Sequence, residues 1–385
     1  MRRRLFPMLS LLLVSLLLTG CWDYMEIESL EFVFGLGVDQ VKPEVVVVLE
    51  MAKTSGGGQQ AMVEPKVLST KSQSAATAAR ALSNPAGLRT FWSHAYVFLI
   101  SEQVAQEGII PAMEHIVRSR HLRSTVWVFI TKECTAEEVF KSKPPVANSV
   151  SEHLNSIVLM QDAISGFLPL QVWQLNQAFA AEGVAAILPT VKLVHQRGEL
   201  VPIVEGTAVF KRDRMVGWLD GQESDILCLL KGLDQRSYYV VDTKVTDHGY
   251  FPITYELVGN RVELKPLVRK DGSIAVAISL TLELGVEEIG AAPLSFRDEK
   301  LVRSVEAQLA TFVTREVRGF LWKIQREYNA DILGFGQLFR RKKPEVWRRL
   351  GEDWDAQLRD LQVELDVQCK IVFTGTSSEP LLVRE

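Results

Sequence analysis

Long apolar runs are nearly missing from this 385-residue chain. A helix needs roughly 20 consecutive apolar residues to cross the hydrocarbon core of a bilayer, and the one candidate, Leu5 to Leu18, stops at about fourteen. That excludes a multi-span membrane protein and predicts a globular body, which 47% hydrophobic and 23% charged residues can build. Cysteine is scarce: there are four, none in a C-x-x-C pair, so neither a zinc site nor a disulfide framework is expected. Cys228 in ILCLL and Cys369 on the apolar phase of a strand read as small buried hydrophobes. Spacing leaves open whether any two of Cys134, Cys228 and Cys369 pair after folding. The six histidines are scattered, and the nearest pair, His115 and His121, lacks a metal-ligand spacing. A basic excess is absent as well: the net charge is -4, which argues against nucleic acid as a partner.

Motifs that carry chemistry are also missing. Gly35-Leu36-Gly37 and Gly334-Phe335-Gly336 each hint at a phosphate loop, but the position of the third glycine holds Gln40 in one and Phe339 in the other. No P-loop, H-E-x-x-H or G-x-S-x-G occurs. The acidic stretch from Asp220 to Asp225 lacks the length and bidentate Glu of a calcium loop and reads as the acid-rich start of a helix. The expectation is a protein that is not an enzyme and carries no metal or cofactor. Arg340-Arg341-Lys342-Lys343 is either a solvated charged face or a contact for phosphates or a membrane surface.

What is present at the front is an export signal. Arg2, Arg3 and Arg4 precede the apolar run, and Thr19 and Gly20 are the small residues a processing enzyme needs. Leu18-Thr19-Gly20-Cys21 resembles a bacterial lipobox, so residues 1–20 are expected to be removed and Cys21 to carry a covalent diacylglycerol. Two acyl chains anchor stably where one binds only reversibly. Losing the three arginines takes the charge to about -7, so charge would not draw the body to an anionic bilayer and the lipid becomes the more necessary. Trp22 and Tyr24 either sit at headgroup level or pack against the body.

Behind the signal the pattern predicts an α+β body with mixed or antiparallel sheets packed by helices, in two domains spanning 21–200 and 201–385, the first possibly divided further. Strands at Leu30 to Asp39 and Glu44 to Lys53 should form a hairpin around Lys42-Pro43, followed by a flexible Ser55 to Gln60 loop. Helices are expected at Gln73 to Ser83, Glu102 to Ser119 with a possible break at Pro111, and over most of Ser151 to Ala181. Thr135 and Glu138 form a capping-box pattern. Leu88 to Ile100 and Arg123 to Ile130 read as strands that alternate with these helices. In the second domain, Thr207 to Phe210 and Met215 to Leu219 read as a hairpin, Ser224 starts a short helix, and Tyr238 to Leu284 reads as a meander with turns at Gly259-Asn260 and Asp271-Gly272. A long helix at about 297–328 carries an apolar stripe from Val302 to Ile324, a helix spans Val346 to Asp360, and a final strand runs from about 361 to 373 with strict alternation.

Particular residues carry a family likeness. Cys21-Trp22-Asp23-Tyr24-Met25-Glu26-Ile27 resembles the start of the Ger(x)C spore-germination lipoproteins, the C subunits of nutrient germinant receptors. Similar too are AVFKRDRMVGWLDGQES, with Asp213, Gly217 and Trp218, and a C-terminal pattern of DILGFG with Phe335 and Gly336, then Pro344, Trp347, Trp354 and Thr374-Gly375. The resemblance implies a non-enzymatic subunit on the outer face of the spore inner membrane, partnered by the integral A and B subunits, with no direct capture of the small-molecule germinant. It transfers no catalytic residue. The motif glycines and tryptophans then serve either as folding determinants or as partner contacts. A second class of function, a solute-binding lipoprotein serving a transporter, would need two similar lobes of repeated strand-helix units, and the sequence shows no such repeat.

Overall fold

Val-rich strands with polar turns dominate the first third of the chain. In the computed structural model, which describes residues 30–55, 62–86, 89–118, 122–161, 164–233, 236–245, 249–289, 296 and 298–373, they become β1 (Leu30–Val41) and β2 (Glu44–Ser55), paired antiparallel around Lys42-Pro43. The signal residues, Cys21 and the 56–60 part of the glycine-rich loop lie outside the described residues. Next come β3 (Met62–Ser72), α1 (Ala75–Ala86), β4 (Arg89–Phe91), β5 (Val97–Ser101), α2 (Glu102–Glu107), α3 (Ile110–Arg118), β6 (Trp127–Thr131), α4 (Ala136–Lys141) and α5 (Val150–Leu159). After them follow β7 (Leu170–Gln171), α6 (Val172–Ala180), β8 (Ile187–Gln196), β9 (Glu199–Lys211) and β10 (Arg214–Leu219).

These strands form one sheet in the order β10-β9-β8-β6-β5-β1-β2-β3, with β4 beside β1 and β7 beside β6. Its centre, β8-β6-β5-β1, is parallel and its flanks are antiparallel. A parallel strand is covered on both faces, and β5 is buried at every residue. One face lies under α4 and α5, with Phe129, Phe140 and Leu154 in its core. The other packs against α1, α2, α3 and α6.

Two carboxylates on the strands place the helices of the first face. Asp39 of β1 accepts the N–H groups of Ala136 (2.7 Å) and Glu137 (3.1 Å), and Glu50 of β2 accepts those of Val150 and Ser151, both at 2.8 Å. Each satisfies donors that a helix start leaves without partners. The capping box on α4 forms from Thr135 and Glu138. Gly35 and Gly37 of β1 have no phosphate role: a Cβ on Gly35 would strike Ser151 and Phe140, and one on Gly37 would lie 2.7 Å from the Ala136 methyl. Absence of a side chain lets the helices sit on the strand.

The second sheet comprises β11 (Tyr238–Val245), β12 (Gly249–Val268), β13 (Ile274–Glu288) and β14 (Gln362–Phe373) in that order. Before it comes α7 (Gly221–Leu230), capped by Asp220 and Glu223. The first three strands form the expected meander, and β14 runs parallel to β13. A parallel return needs a long crossover, supplied by α8 (Glu299–Trp322) with its π-helical end at Lys323–Glu327, α9 (Phe335–Lys342), α10 (Pro344–Leu350) and α11 (Trp354–Asp360). Val305, Leu309, Val313, Val317 and Phe320 of α8 are buried against the sheet. Gln308 bonds both backbone groups of Lys244 on edge strand β11, and Glu306 accepts Ile371 N–H on edge strand β14. Side chains of one helix thereby close positions on both open edges.

Several elements differ from the sequence reading, each for a local reason. The first sheet does not stop at residue 200, because β9 hydrogen-bonds to β8 across that point and β10 to β9. The segment at 88–100 is two strands, β4 and β5, separated by a turn. The helix at 102–119 breaks at Gly108, whose φ of 130° no helix accommodates, while Pro111 sits in the first turn of α3 where its missing N–H is harmless. α1 runs on past Ser83 to Ala86. The 151–181 stretch is two helices with a non-helical run and β7 between them. α7 starts at Gly221 rather than Ser224, because Asp220 is its N-cap. Gly259-Asn260 is no turn: β12 continues through it with an irregularity between Leu257 and Gly259 that absorbs the extra residue. The 346–360 helix is two short helices joined by a 3-10 turn at Gly351–Asp353. Cys134, Cys228 and Cys369 are all free thiols, and burial pushes each up to about 12.

Gly35→Ala should lower stability by about 1–3 kcal/mol through overpacking, read as a lower urea midpoint with unchanged slope; an unchanged midpoint would mean the helices sit further from β1 than described. Burial raises the Asp39 carboxyl from 3.8 to about 6 against the lowering effect of its two backbone bonds. Between those values the folded chain holds a proton that the unfolded chain releases, so this group's stabilising contribution is full below about pH 4 and is lost as pH rises through about 6. Relative to Asp39→Asn, wild type should therefore lose on the order of 2 kcal/mol of stability from pH 4 to pH 7. A gain of wild type over the variant across that range would reverse the assignment.

Candidate functional site

The motif residues of the two halves converge on the seam between the sheets. Trp218 belongs to β10, the edge strand of the first sheet, and Tyr328 follows the π-helical end of α8. The Tyr328 hydroxyl donates to Trp218 O at 2.7 Å and accepts from Trp218 N at 3.2 Å. One phenol thus occupies both backbone groups of an edge residue, which would otherwise present a free ladder. Gly217 permits the approach, since a Cβ there would overlap the Tyr328 ring. Lys132 lies 5.3 Å over the Trp218 ring, and Lys323 both faces the Tyr328 ring at 5.5 Å and pairs with Glu223 at 2.7 Å.

The centre of the seam is Asp331. Its Oδ1 accepts Phe335 N–H (2.9 Å), and its Oδ2 accepts Gly336 N–H (2.7 Å) and the Trp354 indole N–H (2.8 Å). Burial pushes this carboxyl up, while the Gly336, Phe335 and Trp354 bonds pull it back down. Its own carbonyl receives Ala185 N–H from the first domain at 2.8 Å, and Gln337 N–H returns a bond to Gly183 O at 3.0 Å. Gly183 and Gly336 face each other so closely that a Cβ on Gly183 would lie 2.7–2.8 Å from Gly336 backbone atoms and from Trp347. Backbone-to-backbone approach of that kind accepts only glycine.

Around this clamp the aromatic motif residues stack. Trp347 and Trp354 have ring centroids 5.4 Å apart, and Phe339 stands 5.8 Å from Trp354. Trp354, Phe335 and Phe339 are buried; Trp347 is half-buried. Gly351 lets the chain turn between the two tryptophans, since a Cβ there would meet the Trp347 ring at 2.7 Å. Gln325, buried in the π-helical turn, donates to Leu358 O and Leu361 O and so closes the end of α11. Pro344 is exposed and serves as the first residue of α10. Asp213 lies in the β9–β10 turn, where its carbonyl accepts Ile109 N–H at 2.9 Å.

A cleft of about 930 Å³ opens beside the clamp, with Phe179, Glu182, Lys211, Asp213, Trp347 and Asp355 among its walls. Two ion pairs join its walls: Lys211 pairs with Asp355 at 3.1 Å and Arg340 with Glu182 at 3.7 Å. Of the basic run, Arg340 faces the cleft and Lys342 donates to Leu264 O. Among the described residues no three His, Cys, Asp or Glu side chains converge as a metal site. The polar groups at the clamp are engaged with backbone and with each other, an arrangement suited to fixing two domains in one relation.

Of the residues singled out in the sequence, Asp213, Gly217, Trp218, Phe335, Gly336, Trp347 and Trp354 come together along this seam. Cys21, Trp22, Asp23, Glu26 and Gly375 lie outside the described residues. Sequence reasoning passed over Tyr328, Asp331, Gly183 and Gln325. Asp331 opens the quoted DILGFG, and an acid four residues ahead of a helix start could have signalled a cap; Gly183 and Tyr328 had no local signal.

Comparison with known proteins gives a consistent result. The profile described as spore germination protein N-terminal domain matches residues 23–193, and the one described as spore germination B3/GerAC-like, C-terminal, matches residues 205–375. Among curated relatives from Bacillus subtilis (strain 168), spore germination protein KC is 23% identical over 99% of this chain and 98% of its own length. Spore germination protein B3 is 23% identical (94% and 96%), and spore germination protein A3 is 24% identical (90% and 91%). The crystal structure of the GerBC protein superposes with a TM-score of 0.59 at 17% identity, covering 91% of this chain and all of that one; at that identity the likeness speaks for the fold alone.

Replacing Asp331 by Ala leaves two buried N–H groups and an indole N–H without their acceptor, and should destabilise the protein by about 2–4 kcal/mol. Tyr328→Phe removes only the hydroxyl and should lose about 1–2 kcal/mol. Chemical denaturation checks both, and equal losses would deny Asp331 its central position.

Proposed function

The chain belongs to the spore germination GerAC family, and from that premise we propose that it is the lipid-anchored C subunit of a nutrient germinant receptor. The observation that carries this reading is the near end-to-end likeness to spore germination proteins KC, B3 and A3. In this reading the mature chain begins at Cys21, holds diacylglycerol there, and stands on the outer face of the spore inner membrane beside the integral A and B subunits of one receptor. Among the described residues no helix is long and apolar enough to cross a membrane, and in this reading attachment is through Cys21. The protein's part is assembly: a rigid two-domain body whose seam is closed from within and whose outer surfaces meet the membrane subunits. Capture of a free solute is not favoured. That role asks for two lobes of like topology, whereas here a ten-stranded mixed sheet stands beside a four-stranded sheet folded on one helix.

Cys21→Ala should move the protein from the spore membrane fraction to the soluble fraction and abolish the response to one set of nutrients. Tagged wild type, isolated from detergent-solubilised spore inner membranes, should bring two multi-span membrane proteins with it. Normal germination by the variant, or recovery of a transporter permease and its ATPase instead, would sink the proposal.

A further inference from the structure

We propose that the end of the first sheet at which β1 begins rests on the bilayer, with Trp173 and Val117 at headgroup level and the arginines around them against anionic phospholipid. The inference depends on lipid attachment at Cys21 and adds the orientation of the body. Eight residues lie between Cys21 and Leu30, and the nine steps they make, at no more than about 3.6 Å each, allow a reach of about 32 Å. The start of β1 therefore stays near the membrane.

Strand register identifies what else lies at that end. Leu30 is level with Arg89 in the parallel pair of β1 and β4, and Gly35 is level with Val97 and, one strand further, Trp127. The N-terminal ends of β4, β5 and β6 therefore lie at the same end of the sheet as the start of β1. The approach to β6 carries exposed Arg123 and, next to it, Ser124, whose carbonyl accepts Trp173 N–H at 3.1 Å. Trp173 is 40% exposed, with its indole N–H already bonded to Gln171, so an apolar ring with a satisfied polar tip faces outward. α3 delivers Val117, 53% exposed, and Arg118 into the same approach, Arg118 being held at 2.8 Å by Glu114.

The chemistry suits a lipid surface. Tryptophan is favoured where one side is apolar and the other wet, and a basic side chain is attracted to an anionic surface within a Debye length. The body as a whole is acidic, so an anionic bilayer repels it except where arginines are presented. Exposed Arg118 and Arg123 make this end such a place.

The test uses the full lipidated chain in phosphatidylglycerol–phosphatidylethanolamine vesicles whose acyl chains carry bromine, a contact quencher of tryptophan. Wild type, Trp173→Phe and Trp322→Phe are compared, Trp322 being 60% exposed on α8 of the second domain. The expected result is that all three float with the vesicles, that Trp173→Phe loses a share of the quenchable emission, and that Trp322→Phe loses none. Arg123→Glu should reduce the quenching of Trp173 in the same vesicles. Flotation with no change in Trp173→Phe, or with the loss in Trp322→Phe instead, overturns this orientation and leaves the anchor intact. Failure of wild type to float overturns the anchor and the orientation together.

Discussion

A buried carboxylate that binds three donors is the interaction on which the second half of the molecule depends. Asp331 is held by two helix N–H groups and an indole N–H. Because a buried acceptor left unpaired is expensive, the start of α9 and the start of α11 must both come to it. Once they do, Phe335, Phe339 and Trp354 have their positions, and Gly336 is presented to Gly183 of the first domain. The two backbone bonds that cross the seam at Ala185 and Gln337 then follow from geometry already set.

The same device recurs at the opposite side of the first sheet. Asp39 and Glu50 project from adjacent strands to hold the first turns of α4 and α5, and Asp225 holds Gly166 N–H at 2.6 Å with its carboxyl pushed by burial to about 6. In each case an acid from one element satisfies backbone donors on another, so polar burial fixes which segments touch while apolar burial supplies most of the driving force. Glycines complete the arrangement: Gly35, Gly37, Gly183, Gly217 and Gly336 each stand where a Cβ would push an element away.

Edge strands are the usual weak point of a body built on sheets. Here Tyr328 occupies Trp218 on β10, while Gln308 and Glu306 reach β11 and β14. Membership of the spore germination GerAC family gives the outer surfaces of the body a setting, and the proposed anchor at Cys21 would constrain which of them can approach a membrane.

Much of the fold was legible in the sequence because it is locally encoded. Hairpins at Lys42-Pro43 and Lys211–Arg214, the Thr135 capping box, the three-four stripe of α8 and the alternation in β14 all express periodicity and turn chemistry within a few residues. Glycine was where local reading lost its force: Gly108 broke a helix, Gly259 passed through a strand, and the GLG and GFG pairs resembled phosphate loops although Gly35, Gly37 and Gly336 serve packing and Gly334 a left-handed turn. The candidate site was only half visible. Its tryptophans and glycines stood out through family likeness, but Asp331, Tyr328, Gly183 and Gln325 did not, since what marks them is a partner far away in the chain. By itself the sequence determined the lipobox-like leader, the class of fold, the family likeness and the lack of any recognised catalytic motif, because composition and short-range pattern carry those. Only the tertiary structure decided that the sheet runs on past residue 200, that the motif residues meet at one seam, and which acid holds it, because each depends on desolvated contacts between segments that no local period relates.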